Sequence, residues 1–193
     1  MSSHPSPTSA EQGRRVCPAD HAGWLSTPLR RLVHSPRRIL DNLLHPGDTV
    51  IDLGCGPGFF TLPMARMVGP EGRIIAVDLQ PEMLRRLQSR AQRRSLIDRI
   101  VLAQCTADTM GGVGPADFAL AFYVVHEVPD LERLLAEVRS SLKDGGRLLL
   151  VEPKGHVSAA EFSSTVDIAH GAGLRSLSGP SVAFSRAALF VAG

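Results

Sequence analysis

Cysteine is scarce in this chain of 193 residues: Cys17, Cys55 and Cys105 are the whole supply. Three thiols build no disulfide framework, and a reducing, cytoplasmic setting is the expectation. No apolar run approaches the roughly 20 residues that cross a bilayer, so no membrane-spanning helix is expected. An excess of one charge is missing too. The 21 Lys and Arg against 19 Asp and Glu leave +2, which does not demand a polyanionic partner. Residues 1–14 are rich in Ser and Pro and lack an apolar core, so they read as a flexible tail and not as a secretory signal. What is present, a hydrophobic fraction of 44%, suits one domain with a sizeable core.

The most informative stretch is Val50-Ile51-Asp52-Leu53-Gly54-Cys55-Gly56-Pro57-Gly58-Phe59-Phe60. Thr49 to Leu53 reads as a buried strand, the glycine-rich segment as a turn, and a helix follows from about Phe59. Gly54, Gly56 and Gly58 carry no Cβ, so the backbone can take positive φ and lie against a ligand. N–H groups at the helix start suit a carboxylate or phosphate. The turn lies beyond the carboxyl end of a strand, where open α/β sheets bind ligands. Two missing patterns narrow the choice. A dinucleotide fingerprint reads G-x-G-x-x-G, but here the third glycine comes one residue early; a P-loop needs Gly-Lys-Ser/Thr, and the turn has no lysine. Asp52 precedes the glycines by two positions, and Asp78 ends the next hydrophobic strand, Arg73 to Val77. A carboxylate there is placed to accept both ribose hydroxyls of a nucleoside.

This D-x-G-x-G-x-G turn, followed about twenty residues later by an acidic strand end, resembles the class I S-adenosylmethionine (SAM)-dependent methyltransferases. The resemblance covers about Asp41 to Ala192. It implies an α/β, Rossmann-like fold with a seven-stranded, mostly parallel sheet, helices on both faces and a terminal antiparallel hairpin. It implies SAM as cofactor and S-adenosylhomocysteine as product, in a domain over residues 46–193. Residues 15–45 would form an N-terminal helical segment or lid, with Trp24 and Cys17 as its marked residues; a core-plugging Trp24 and an inert Cys17 are the other reading. Gly54, Cys55, Gly56, Gly58, Asp78 and Leu79 would surround the cofactor. Asp52 would order the turn or meet the methionine ammonium. Ala107, through its backbone, or Asp108 would meet the adenine amino group, and Phe122 would line the site. The phrase Phe122-Tyr123-Val124-Val125-His126-Glu127-Val128 is similar to the small-molecule, ubiquinone/menaquinone-biosynthesis-like branch, the type 11 group. That branch often carries an insertion over the acceptor, and the loops here are short.

The rest of the chain alternates strands and helices: Arg99 to Gln104, Asp117 to Phe122 and Arg147 to Val151 as strands, and helices from Pro28 to Leu44 (interrupted at Ser35-Pro36), Pro81 to about Arg94, Asp130 to Leu142 and Ala159 to Ala172. Pro63 falls in the opening turns of the helix after the glycines, where a distortion is expected. Leu174 to Leu177 and Ala187 to Val191 read as a closing pair of strands. His126 and Glu127 follow the fourth strand and are the candidates for acceptor chemistry, since imidazole takes a proton near neutral pH; ordering the turn is the alternative role for His126. Glu152 and His156 leave the fifth strand on the same side. The expected reaction is SN2 methyl transfer to a small molecule, by a monomer or homodimer. A nucleic-acid methyltransferase is a rival, but Ala121-Phe122-Tyr123-Val124 lacks the Asn/Asp-Pro-Pro-Tyr/Phe pattern of base-amino methylation, and nucleic acid is not the expected partner. Arg85, Arg86, Arg90, Arg93 and Arg94 read as an outer, solvated helix face. A non-catalytic SAM-binding module is another rival. No metal is expected, because Cys17, His21, His126, Glu127, Glu152 and His156 form no compact ligand motif.

Overall fold

The computed structural model describes residues 34–107 and 109–193. Seven strands form a single sheet in the order β3-β2-β1-β4-β5-β7-β6. They are β1 (Thr49–Leu53), β2 (Arg73–Asp78), β3 (Ile100–Gln104), β4 (Ala116–Phe122), β5 (Leu142–Pro153), β6 (Leu174–Leu177) and β7 (Ser185–Ala192). The pairs β1–β2, β1–β4, β2–β3 and β4–β5 are parallel, whereas β7 runs antiparallel to both β5 and β6. The strand order reverses between β1 and β4, so their carboxyl ends diverge and leave the crevice that such sheets use for ligands. The expected seven-stranded α/β architecture, with its closing antiparallel hairpin, is the one the chain adopts.

The central strands are apolar at nearly every position because both faces are covered. On one face Val50, Ile74, Phe118, Leu120 and Leu149 pack with residues of α1 (Pro36–Leu40), α2 (Thr61–Met67) and α3 (Pro81–Gln92). On the other, Ile51, Leu53, Ala119, Leu148 and Leu150 pack with α4 (Leu131–Ser141) and α5 (Ala159–Gly171). Local chemistry sets the helix starts. Asp130 accepts a hydrogen bond from the Arg133 N–H at the head of α4. Ser158 and Glu161 form a reciprocal capping box at the head of α5, which satisfies two backbone donors that the helix itself cannot. Pro81 takes the first position of α3, where no N–H is needed. Pro63 is the third residue of α2, and its missing N–H falls among the four that have no helical partner in any case.

Two segments differ from expectation. The helix read as far as Leu44 ends at Leu40: Asp41 is extended (ψ 133°) and Asn42 is left-handed (φ 62°), which turns Leu43 into the core, where its carbonyl accepts from Arg147 Nη2 at 2.8 Å. Ser35 stands at the cap of α1 without a side-chain capping bond. Lys143-Asp144-Gly145-Gly146, which fall between the expected helix and the expected fifth strand, form an irregular bulge within β5. Ala116 pairs with Leu142 and Phe118 with Arg147, so four residues of β5 stand opposite the single Asp117 of β4, three more than a regular ladder holds, and Gly145 among them takes φ 74°. The N-terminal segment up to residue 33, including Cys17, His21, Trp24 and the lid reading, lies outside the described residues, as does Asp108.

Candidate active site

The glycine turn leaves β1 and is tied back to the neighbouring strand end. Cys55 N–H donates to the Val77 carbonyl at 3.0 Å. Asp78, at the tip of β2, accepts from Gly56 N–H at 2.8 Å through one oxygen and from Gln80 N–H at 2.9 Å through the other. Burial pushes the Asp78 carboxyl above its ordinary value, and the two backbone N–H groups act against that shift. Each oxygen has two lone pairs, so the carboxylate keeps acceptor capacity beyond these bonds. All three glycines have positive φ, but they do different work. A Cβ at Gly58 would lie 2.5 Å from Leu87 Cδ1 of α3, and one at Gly54 would lie 2.7 Å from Val124 Cγ2; a Cβ at Gly56 would meet nothing within 4 Å. The turn therefore packs at its two ends and opens at its centre, beside Asp78.

Asp52 is 3% exposed and accepts from the Thr61 hydroxyl at 2.5 Å. This bond joins the strand before the turn to the helix after it. Cys55 is buried, and burial, with Asp52 and Asp78 nearby, drives its thiol pKa far upward; it is a packed thiol here. Leu79 is half-buried next to Asp78, and Ala107 is exposed on the loop after β3. Phe122 is only 6% exposed, its ring 4.4 Å from both Phe60 and Tyr123 and 5.5 Å from His34, centre to centre. Its position in the aromatic cluster is that of a wall behind the crevice.

The second half of the edge comes from β4 and β5. Tyr123 leaves β4 in a left-handed conformation (φ 62°). Its hydroxyl reaches Ser185 Oγ at 2.6 Å and His34 Nε2 at 3.2 Å, which ties the strand end to β7 and to the segment before α1. Val124 then seats on Gly54, and a short 3-10 turn, Val125–Glu127, presents His126. Glu152 was read as facing the acceptor volume together with His156. Instead it is 1% exposed, with Oε1 accepting from Val125 N–H at 2.8 Å and Oε2 paired with His126 Nδ1. Its place in β5 follows Leu148 and Leu150 in register, which carries it under the turn and not out of it. His126 is about a quarter exposed; its Nε2 lies 4.0 Å from Glu127 Oε1, and the His156 ring is centred 5.9 Å away. The structure thus brings His126, Glu127, Glu152 and His156 together. Among the described residues no group of three or more His, Cys, Asp or Glu is placed to hold a metal ion.

Sequence reasoning passed over Thr61, Val124 and the Tyr123–Ser185–His34 set. Thr61 is nine residues from Asp52, and only the strand-turn-helix geometry shows that they meet. Arg85, Arg86, Arg93 and Arg94 are exposed, whereas Arg90 is half-buried against the glycine turn. Arg85 and Arg86 pair with Glu82 at 2.8 and 2.9 Å, Arg90 donates to the Pro57 carbonyl at 2.7 Å, and Arg93 donates to Ser89 at 2.9 Å.

A sheet of order 3-2-1-4-5-7-6 with an acidic strand end beside a glycine turn puts the chain in the Rossmann-like α/β class. Residues 44–172 match the family model described as a methyltransferase domain, and the chain belongs to that family. SAM is the cofactor that membership implies, and the opening at Gly56 beside the Asp78 acceptors fits it. The chain is 31% identical over 128 residues to nocamycin O-methyltransferase of Saccharothrix syringae, covering 66% of this chain and 46% of that enzyme. It is 30% identical over 110 residues to the ubiquinone/menaquinone biosynthesis C-methyltransferase UbiE of Teredinibacter turnerae, covering 56% and 44%. The chain thus spans less than half the length of these two curated relatives. A SAM-dependent methyltransferase structure from Aquifex aeolicus superposes with TM-score 0.81 at 21% identity, over 90% of this chain and 98% of that one. No helix among the described residues is long and apolar enough to cross a membrane.

Proposed function

We propose that this chain transfers a methyl group from SAM to a small-molecule acceptor by in-line displacement. The observation that carries the reading is the seating of Val124 on Gly54. It sets the turn suited to the cofactor and the His126 cluster side by side on one edge of the sheet. When bound, SAM supplies an electrophilic methyl carbon on a sulfonium. In this reading Asp78 accepts from the ribose hydroxyls, Gly56 allows close backbone approach, Leu79 and Ala107 border the adenosine side, and Asp52 holds the turn through Thr61. Phe122 backs the crevice from the core. His126 and Glu127 face the acceptor. The chain's contribution is then to orient the acceptor in line and to exclude water, as a monomer or homodimer acting in the cytoplasm. The relatives that methylate oxygen and carbon support a small acceptor, and the internal pairing of the α3 arginines removes much of the case for a nucleic-acid face.

Calorimetric titration of the purified chain with SAM, with NADH as control, tests the reading. Binding of SAM alone, followed by formation of S-adenosylhomocysteine with an acceptor panel, is the expected result. No SAM binding overturns it, and binding without turnover makes the chain a non-catalytic module.

A further inference from the structure

The buried pair beneath the 3-10 turn is chemically specific. Glu152 has two oxygens, both directed at named partners: Oε1 takes the Val125 N–H at 2.8 Å, and Oε2 faces His126 Nδ1. A carboxylate only accepts hydrogen bonds, so in its contact with Oε2 the ring nitrogen Nδ1 is the donor. The backbone bond from Val125 holds the carboxylate in place, and the 1% exposure of Glu152 keeps water from competing for it. With Nδ1 bearing a proton, the neutral ring has its lone pair on Nε2. Among the described residues two carboxylates lie against the ring: Glu152 from β5 below, and Glu127 from the same turn, 4.0 Å from Nε2. Among the described residues His156, from the turn after β5, is a further titratable group against the ring, 5.9 Å between centres. Carboxylate, backbone N–H and imidazole in this order are the parts of an oriented general base.

We infer that Glu152 is a positioning residue that holds His126 with its proton on Nδ1, and that the site serves acceptors that must lose a proton as they are methylated: phenols, enols or activated C–H acids. This rests on the methyl-transfer reading above. In the step, the acceptor's O–H or C–H bond breaks and its proton passes to Nε2. The electron pair left on the acceptor forms the bond to the methyl carbon, and the pair of the breaking C–S bond stays on sulfur. The imidazolium, balanced by Glu152, returns the proton to water. An acceptor whose lone pair carries no proton gains nothing from this arrangement.

The first test needs no acceptor. Nitrogen-15 NMR of histidine-labelled full chain, with the signal assigned by a His126→Asn variant, should show the neutral His126 ring protonated on Nδ1. In Glu152→Gln the ring should titrate at lower pH and lose that single tautomer. The second test uses two probes with SAM: a series of para-substituted phenols and matched pyridines, which have no proton to give. Phenols should be methylated in preference to pyridines. Glu152→Gln should cut the phenol rate about a hundredfold and move the acid limb of its pH profile downward, with SAM affinity unchanged by calorimetry. Glu152→Asp should restore part of the loss. A neutral wild-type ring protonated on Nε2, an equal loss on both probes at every pH, or pyridine turnover without phenol turnover overturns the inference. Turnover of neither probe by a protein that binds SAM also overturns it. Failure of the wild type to bind SAM overturns the methyl-transfer reading instead, and the NMR result stands apart from it.

Discussion

The glycine turn after β1 and the 3-10 turn after β4 touch at Gly54 and Val124, yet different forces hold them. The first is a backbone structure. Its shape comes from left-handed glycines and from N–H groups bound to Val77 and Asp78. The second is a side-chain structure, in which a buried glutamate from one strand end grips a histidine and a backbone N–H from the other. Each contains an almost fully buried carboxylate, but Asp52 meets a neutral hydroxyl whereas Glu152 meets an imidazole. A hydroxyl partner fixes position; an imidazole partner also fixes where a proton sits. The comparison teaches that the geometry of a turn comes from local backbone, whereas a buried side-chain pair comes from residues that the fold must bring together.

The largest expected break in this contrast is Gly58→Ala. A methyl 2.5 Å from Leu87 on a left-handed backbone (φ 88°) combines strain and overpacking, and urea denaturation should show a loss of about 3 kcal/mol. Gly56→Ala, where the space is open, should cost about 1 kcal/mol of stability while still impairing SAM binding. Equal stability losses for the two would show that the turn does not divide into packed ends and an open centre. Next comes Asp78→Ala, which should weaken SAM binding by about 1.5–3 kcal/mol, the range for hydrogen bonds to a charged group. An unchanged dissociation constant in calorimetry would remove Asp78 from the cofactor's site.

Thr61→Val sharpens the difference between the two buried carboxylates. It leaves Asp52 without its hydroxyl donor and should cost about 1–2 kcal/mol in thermal or urea unfolding, with no change in the titration of His126. A shifted His126 titration would mean that the two halves are electrostatically coupled. The smallest effect is a pH slope. Burial raises the folded-state pKa of Asp78, so just above the ordinary carboxylate value the folded chain holds the extra proton. The contribution of this group to stability therefore falls as pH rises through that window, and is most favourable below it. Wild type minus Asp78→Ala, followed by denaturation at a series of acid pH values, should show that downward slope; a flat or rising difference contradicts the burial.

The glycine-turn half was legible because its signals are local. Asp52, the three glycines and Asp78 fall within two strands and one turn, so the strand-turn-helix conformation follows from backbone preference and spacing. The Ser158 and Asp130 caps are local in the same sense, since their partners lie three residues away. The half built around His126 was legible only in its members. His126 and Glu152 were each placed at a strand end, but their pairing depends on the register of β4 beside β5, with Phe122 opposite Val151. Strand register is not encoded within either segment. Helix length went astray at Leu40 for a related reason, since the left-handed Asn42 and the Arg147 bond to Leu43 come from packing against β5 and not from local preference.

The amino-acid sequence by itself determined the α/β class, the glycine turn, the acidic end of β2 and the alternation of strand and helix, because periodicity, capping and turn chemistry act over a few residues. Only the tertiary structure decided that Gly58 packs while Gly56 opens, that Asp52 is bound to Thr61, and that Glu152 lies beneath His126 and not beside it. Those outcomes depend on which face of a strand meets which helix and on how far each carboxylate lies from water, and burial is a property of the folded whole.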